Sequence, residues 1–266
     1  MPPANCSAPP EVRAPDSLRL GCVQYLNALP LIHGWRGAVR LDHPSTLCRE
    51  LAAGQLDVAL VSSFEYLRNP VYLVVDQLAI ASHGPVYSVV LAHLEAIETL
   101  REVVVDPAST TSVNLLHCLL GERQVRARFV SAGELSPTRG RLLIGDQAIR
   151  FREQAGGKIQ FLDLGADWEE RTKLPFVYAL WLIRRDYPGG EEVANALRSL
   201  ARKNLENLDE VIAEQPESRR AFCEFYFRQC LRFSFGEEER EGFRKFAELC
   251  VKQTLLPGVP VAPRLV

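Results

Sequence analysis

Residues 101–120 read REVVVDPASTTSVNLLHCLL, and the parsing of this stretch decides the fold. Val103, Val104 and Val105 form a short apolar run of the kind that fills a buried strand. Asp106 and Pro107 end it, and Val113, Leu115, Leu116, Leu119 and Leu120 follow at helical spacing. Ser109, Thr110, Thr111 and Ser112 stand between strand and helix. One Ser or Thr suffices as an N-cap, so four in succession exceed what capping needs. The first N–H groups of a helix lack internal acceptors, and the helix dipole leaves that end partly positive. Hydroxyls beside those N–H groups predict a cradle for a carboxylate or phosphate.

The same strand-to-helix step recurs along the chain. Leu18 to Val23 is an apolar run leading to Asn27, a candidate cap for a short helix that holds Pro30. Val39 to Leu41 reads as a strand, and Ser45 as the cap of the helix after it. Asp57 to Val61 leads to Ser62, with Glu65 at capping-box spacing. Residues 71–80 and Val86 to Leu91 are strand-like on either side of a Gly84–Pro85 turn, and Ser88 is embedded in the second. Ser88 matters only if that strand lines a cleft. A weak strand falls near Ala127 to Val130. Arg141 to Gly145 is a strand leading to Asp146, which reads first as a helix cap. Ile159 to Leu164 and Phe176 to Ile183 are further extended runs. Residues 191–214, 217–232 and 237–254 are helical, and LLPGVPVAPRLV reads as a tail. Strands alternating with helices predict α/β architecture, in which ligands sit beyond the carboxyl ends of the strands. Asn27, Ser62, Ser109–Ser112, Gly145 and Asp146 can then converge on one crevice.

Composition narrows the function. The 266 residues suffice for one large domain or two lobes, and 47% hydrophobic with 24% charged residues is ordinary for a globular protein. A formal net charge of −2 gives no basic surface for nucleic acid, and no apolar run has the length of a membrane span. Residues 1–17, rich in Pro, Ala and Ser, read as a disordered leader rather than a signal peptide, which points to the cytoplasm. Seven cysteines without C-x-x-C spacing read as reduced thiols, and five histidines without metal-ligand spacing predict no metal. Neither a G-x-G-x-x-G nor a Walker loop is present, which disfavours a nucleotide, and no G-x-S-x-G elbow marks a hydrolase. The expected ligand is a small anion. The sequence carries no signal of oligomeric state.

Six segments in order carry a family resemblance: YLNALPL (25–31), GQLDVALVS (54–62), GPVYSV (84–89), STTS (109–112), IGDQA (144–148) and DLGADWEERTKLPFVYALW (163–181). They resemble the chorismate dehydratase family of the futalosine route to menaquinone, over residues 18 to 255. One departure is Lys173, where the family usually carries Gly. The resemblance implies a two-lobed type II periplasmic-binding-protein-like fold with a ligand cleft and extra C-terminal helices. Residues 18–92 plus 181–266 would form lobe I and residues 93–180 lobe II. It also implies cofactor-free dehydration of chorismate, a dicarboxylate, to 3-[(1-carboxyvinyl)oxy]benzoate. Thr110, Thr111 and Ser112 would hold a carboxylate with Ser88 helping, beside Ser62, Ser109 and Gly145. Asn27 would contact the ring hydroxyl or a carboxylate, and Asp146 would be a catalytic or positioning carboxylate after its role as a cap. No residue is identified as general base; the substrate's own enolpyruvyl carboxylate is the candidate. Two alternatives share the fold: a solute-binding protein for a small carboxylate, and an enzyme resembling 1,4-dihydroxy-6-naphthoate synthase. The first is normally exported, and the second usually carries a Cys-Pro-Asn-Asp entry motif that residues 25–31 lack.

Overall fold

The computed structural model describes residues 18–106 and 109–266; the expected leader and Pro107 lie outside the described residues. The chain opens with β1 (Leu20–Val23), α1 (Leu29–Ile32), β2 (Val39–Asp42), α2 (Pro44–Ala52), β3 (Val58–Ser62), α3 (Ser63–Arg68) and β4 (Tyr72–Ser82). It then crosses to β5 (Val89–His93), β6 (Glu102–Val104), α4 (Thr110–Glu122), β7 (Arg128–Val130), β8 (Arg139–Ile144), α5 (Gly145–Gln154), β9 (Gln160–Asp163) and α6 (Leu164–Thr172). It returns through β10 (Phe176–Arg184) into α7 (Gly190–Glu206), α8 (Leu208–Ala213), α9 (Glu217–Phe225) and α10 (Glu237–Lys252).

Two five-stranded sheets result, ordered β2-β1-β3-β10-β4 and β7-β6-β8-β5-β9. In the first, β1, β2 and β3 are parallel and β10 is antiparallel to its neighbours. In the second, β6, β7 and β8 are parallel and β5 is antiparallel to its neighbours. Each sheet thus receives one antiparallel strand directly after the chain crosses from the other. Strands β1, β3 and β10 are almost wholly buried, which explains their unbroken apolar sequences. The architecture is α/β and two-lobed.

Several local expectations change. The lobe divisions at residues 92/93 and 180/181 do not follow the sheets: all of β5 lies in the second sheet and all of β10 in the first, so the crossings occupy 83–88 and 173–175. Residues 86–88 are not strand. Tyr87 has φ +67° and the Ser88 N–H donates to Val86 O at 2.7 Å, a three-residue turn that kinks the crossing. The helix read over 191–214 breaks at Asn207, whose φ of −116° and ψ of 41° separate α7 from α8. Ser45 lies inside α2, whose N-cap is His43. The C-terminal stretch is no loose tail: Val74 donates to Arg264 O at 2.9 Å and Val266 to Val74 O at 3.0 Å, extending the edge of the first sheet.

Asp163 organises the first crossing. Its Oδ1 accepts from Val86 N at 3.0 Å and its Oδ2 from Tyr87 N at 2.7 Å. Oδ1 also caps α6, accepting from Gly165 N at 3.0 Å and Ala166 N at 3.2 Å. Arg152 lies 3.6 Å away, with its guanidinium 4.0 Å from the Tyr87 ring centroid.

Candidate functional site

The carboxyl ends of β1, β3, β6 and β8 face one another across a cleft with about 530 Å³ of space, mouth included. Strand register assembles its walls. Ser62 on β3 pairs with Ala179 on β10, and Val89 on β5 with Ile144 on β8, and all four line the cleft. Asn27, Ser109, Thr110, Thr111, Ser112 and Gly145 line it too, with Tyr25 and Tyr178. Among the described residues lining it there is no Lys, Arg or His. Negative charge bound here would therefore meet peptide N–H groups, hydroxyls and helix dipoles rather than a cationic side chain.

The N-terminus of α4 supplies the strongest of these. Thr110, Thr111 and Ser112 are its first three residues, whose N–H groups have no acceptor inside the helix itself. Ser109 is the N-cap residue, yet its side chain makes no capping bond. The Ser109 Oγ is buried, lines the cleft and has no hydrogen-bond partner among the described residues. Thr111 is already engaged. Its Oγ1 lies 2.5 Å from Ser62 Oγ and accepts from Phe64 N at 3.2 Å, so it links the two lobes. Ser62 holds the N-cap position of α3 without the expected capping bond, and Glu65, instead of closing a capping box, accepts from Arg68.

Asn27 lies on the opposite wall within the 3-10 turn Leu26–Ala28, not at a helix cap. Its Oδ1 is buried without a partner among the described residues. Gly145 has φ +54°, and a Cβ there would come within 2.8 Å of the Tyr25 ring, so glycine is required for the two walls to meet. The Tyr25 hydroxyl lies 3.3 Å from His43 Nδ1. Burial, then the charges of Asp106 and Asp146, push it up to about 12, which keeps it protonated at neutral pH.

Two expected site residues stand elsewhere. Ser88 does not line the cleft: the kinked crossing turns it rearward, fully buried, where its Oγ accepts from Tyr226 OH at 2.6 Å. Asp146 is the second residue of α5, with Ile144 as N-cap, and its Oδ1 accepts from Leu26 N at 3.1 Å, another bond between the lobes. Sequence pattern alone does not single out Tyr25 and Tyr178, although both lie within the family motifs. An aromatic in an apolar run reads as core, and Tyr178 is indeed buried, with its hydroxyl 3.1 Å from Ser82 Oγ. Among the described residues no group of three or more His, Cys, Asp and Glu could hold a metal, and no helix is long and apolar enough to cross a membrane.

Residues 18–252 match a family model described as menaquinone biosynthesis. The chain is 34% identical to the chorismate dehydratase of Thermus thermophilus, over 92% of this chain and 96% of that one. Among solved structures, the alkanesulfonate-binding protein SsuA of Xanthomonas axonopodis pv. citri, bound to MOPS, has a TM-score of 0.68 at 15% identity, covering 96% of this chain and 99% of that one. A Candida albicans protein with the generic periplasmic binding protein fold has a TM-score of 0.60 at 10% identity, covering 91% and 92%. At these identities the two structures establish the fold alone.

Proposed function

Because the chain belongs to the menaquinone biosynthesis family, we propose that it dehydrates chorismate to 3-[(1-carboxyvinyl)oxy]benzoate without a cofactor. The observation that carries this reading is the complementarity of the two cleft walls. One presents the N-terminus of α4 and the Ser109 Oγ, the other the Asn27 Oδ1, and neither oxygen has a partner among the described residues. The first suits a carboxylate and the second a hydroxyl donor, the two kinds of polar group that chorismate carries.

In the proposed step a base takes the proton from the ring carbon bearing the enolpyruvyl ether. That electron pair enters the ring, the neighbouring C–O bond breaks, and the hydroxyl leaves with a proton as water. The enolpyruvyl carboxylate of the substrate is the proposed base. Aromatisation supplies the driving force, so the protein's part is orientation and stabilisation of charge in a site shielded from water. Ser109, Thr110 and Ser112 would hold a carboxylate, Thr111 and Ser62 would close the lobes over it, and Asn27 would engage the ring hydroxyl. Asp146 would act by holding the Leu26 backbone, and Ser88 from behind the wall.

Incubating the purified protein with chorismate and identifying products by mass spectrometry tests this. The expected product is one water lighter than chorismate and has an aromatic ring spectrum. Tight binding of chorismate with no product would overturn the dehydratase reading in favour of a carboxylate-binding protein.

A further inference from the structure

Ser62, Ser109, Thr111 and Ser112 line the cleft and are each only 4–6% exposed. A dicarboxylate reaches residues so deeply buried when the lobes part, and parting breaks the bonds that join α3 to α4. Those bonds converge on one hydroxyl. Thr111 Oγ1 lies 2.5 Å from Ser62 Oγ and 3.4 Å from Ser63 Oγ, and it accepts from Phe64 N at 3.2 Å. Phe64 is the second residue of α3, and Ser62 is its N-cap, with the non-helical φ of −45° and ψ of 126°. The N-cap side chain is the usual acceptor for the N–H of the second or third helical residue. Here Thr111, from the other lobe, holds that place, and Ser62 makes no capping bond.

The hydroxyl hydrogens at this junction do not all find close acceptors. Each hydroxyl has one hydrogen. That of Ser63 goes to Val177 O at 2.7 Å, a carbonyl that can only accept. The short Ser62–Thr111 bond uses one of the two hydrogens that this pair carries. The other has no acceptor among the described residues nearer than Ser63 Oγ, 3.4 Å from Thr111 Oγ1. Both residues that can carry it line the cleft.

We propose that α3 exchanges its cap as the lobes move. Ser62 holds the Phe64 N–H when the lobes are apart, and Thr111 takes it across the cleft when they meet. The Ser62 hydroxyl so released donates to the bound carboxylate. Thr111 is thus a positioning residue that touches no ligand, and Ser62 is a ligand donor only in the closed protein. One acceptor replaces another at Phe64, so neither state strands that N–H, and a carboxylate accepting from Ser62 then favours closure. The release of Ser62 to a ligand rests on the carboxylate reading of the cleft; the exchange of caps does not.

Hydrogen exchange of the Phe64 amide, followed by NMR in ligand-free protein, tests the exchange of caps. Thr111→Val keeps the side-chain shape and removes the hydroxyl. Ser62 can then cap in both states, so Phe64 should exchange within about threefold of the wild-type rate. Adding Ser62→Ala removes the second acceptor, and exchange should accelerate at least about tenfold over Thr111→Val, the equivalent of one hydrogen bond. Should that double variant not fold, Ser62→Gly takes the place of Ser62→Ala, since glycine is tolerated at an N-cap. An acceleration of about tenfold in Thr111→Val alone shows a fixed cap and overturns the proposal, and so does a double variant no faster than Thr111→Val. Calorimetry with chorismate reads the release of Ser62. Ser62→Ala and Thr111→Val should each weaken binding at least about tenfold, and Thr111→Ser, which keeps the hydroxyl, should bind within about threefold of wild type. Unchanged affinity in Ser62→Ala, or Thr111→Ser as weak as Thr111→Val, would overturn that release. Failure of the wild-type protein to bind chorismate counts against the carboxylate reading, while the Phe64 amide still decides the exchange of caps.

Discussion

Helices α4 and α6 both begin in the second lobe, and both begin with residue types that favour a cap, but they are finished differently. At α6 the Asp163 carboxylate accepts two N–H groups of its own helix and two from the crossing segment, and Arg152 lies beside it. Nothing at that end is left for a ligand. At α4, Ser109 makes no capping bond and the Thr111 hydroxyl is turned across to the other lobe. The difference teaches that a cap is a structural element when its partners are internal, and a candidate site when its donors and acceptors stay open toward a cavity. Carboxylate and hydroxyl chemistry follow the same division. A capping Asp adds negative charge and repels an anion, while serine and threonine leave the dipole of α4 exposed to one.

The comparison can be broken most forcefully at Asp163. Asp163→Ala should destabilise the protein by about 3–5 kcal/mol, because it strands four N–H groups together. Urea denaturation measures this, and a loss below about 1 kcal/mol would remove the distinction between the two helix ends. Asp163→Asn, which keeps an acceptor for some of the four, should fall between.

At α4 the balance should invert. Ser109→Ala removes an oxygen with no partner among the described residues, so stability should stay within about 0.5 kcal/mol. Carboxylate affinity by calorimetry should fall by about 1.5–3 kcal/mol, the value of a hydrogen bond to a charged group. Unchanged affinity with reduced stability would make Ser109 an ordinary structural residue.

The smallest effect is expected at the end of α6. Lys173, the residue following Thr172, has φ +61° and ψ 21°, the left-handed conformation that favours glycine. Lys173→Gly should raise stability by about 1 kcal/mol or less, seen as a higher Tm, with chorismate turnover unchanged. A destabilised variant would show that the lysine side chain contributes more than its backbone geometry costs.

The chain's own pattern decided much of this protein. The apolar runs at 18–23 and 57–61 are strands because full burial on both faces of a sheet demands unbroken apolar sequence, and that demand is local. The run Ser109–Ser112 announced a polar helix start for the same local reason. Other features depend on residues that are distant in sequence. Nothing near Tyr87 signals a positive φ, because the turn is held by Asp163, 76 residues away. Asp146 looks like a cap because Asp after a strand usually is one, and only the docking of the lobes offers it the Leu26 N–H. Ser88 could be read as a cleft residue until Tyr226, 138 residues later, claimed its hydroxyl. The last residues lack periodicity and read as a tail, yet the open edge of β4 supplies the partners that make Arg264 and Val266 part of the sheet. Periodicity and caps are set by neighbours along the chain, so sequence determined the elements. Which polar atoms are consumed and which remain open to a ligand is set by contacts made only when the two sheets close on each other, and the tertiary structure alone decided that.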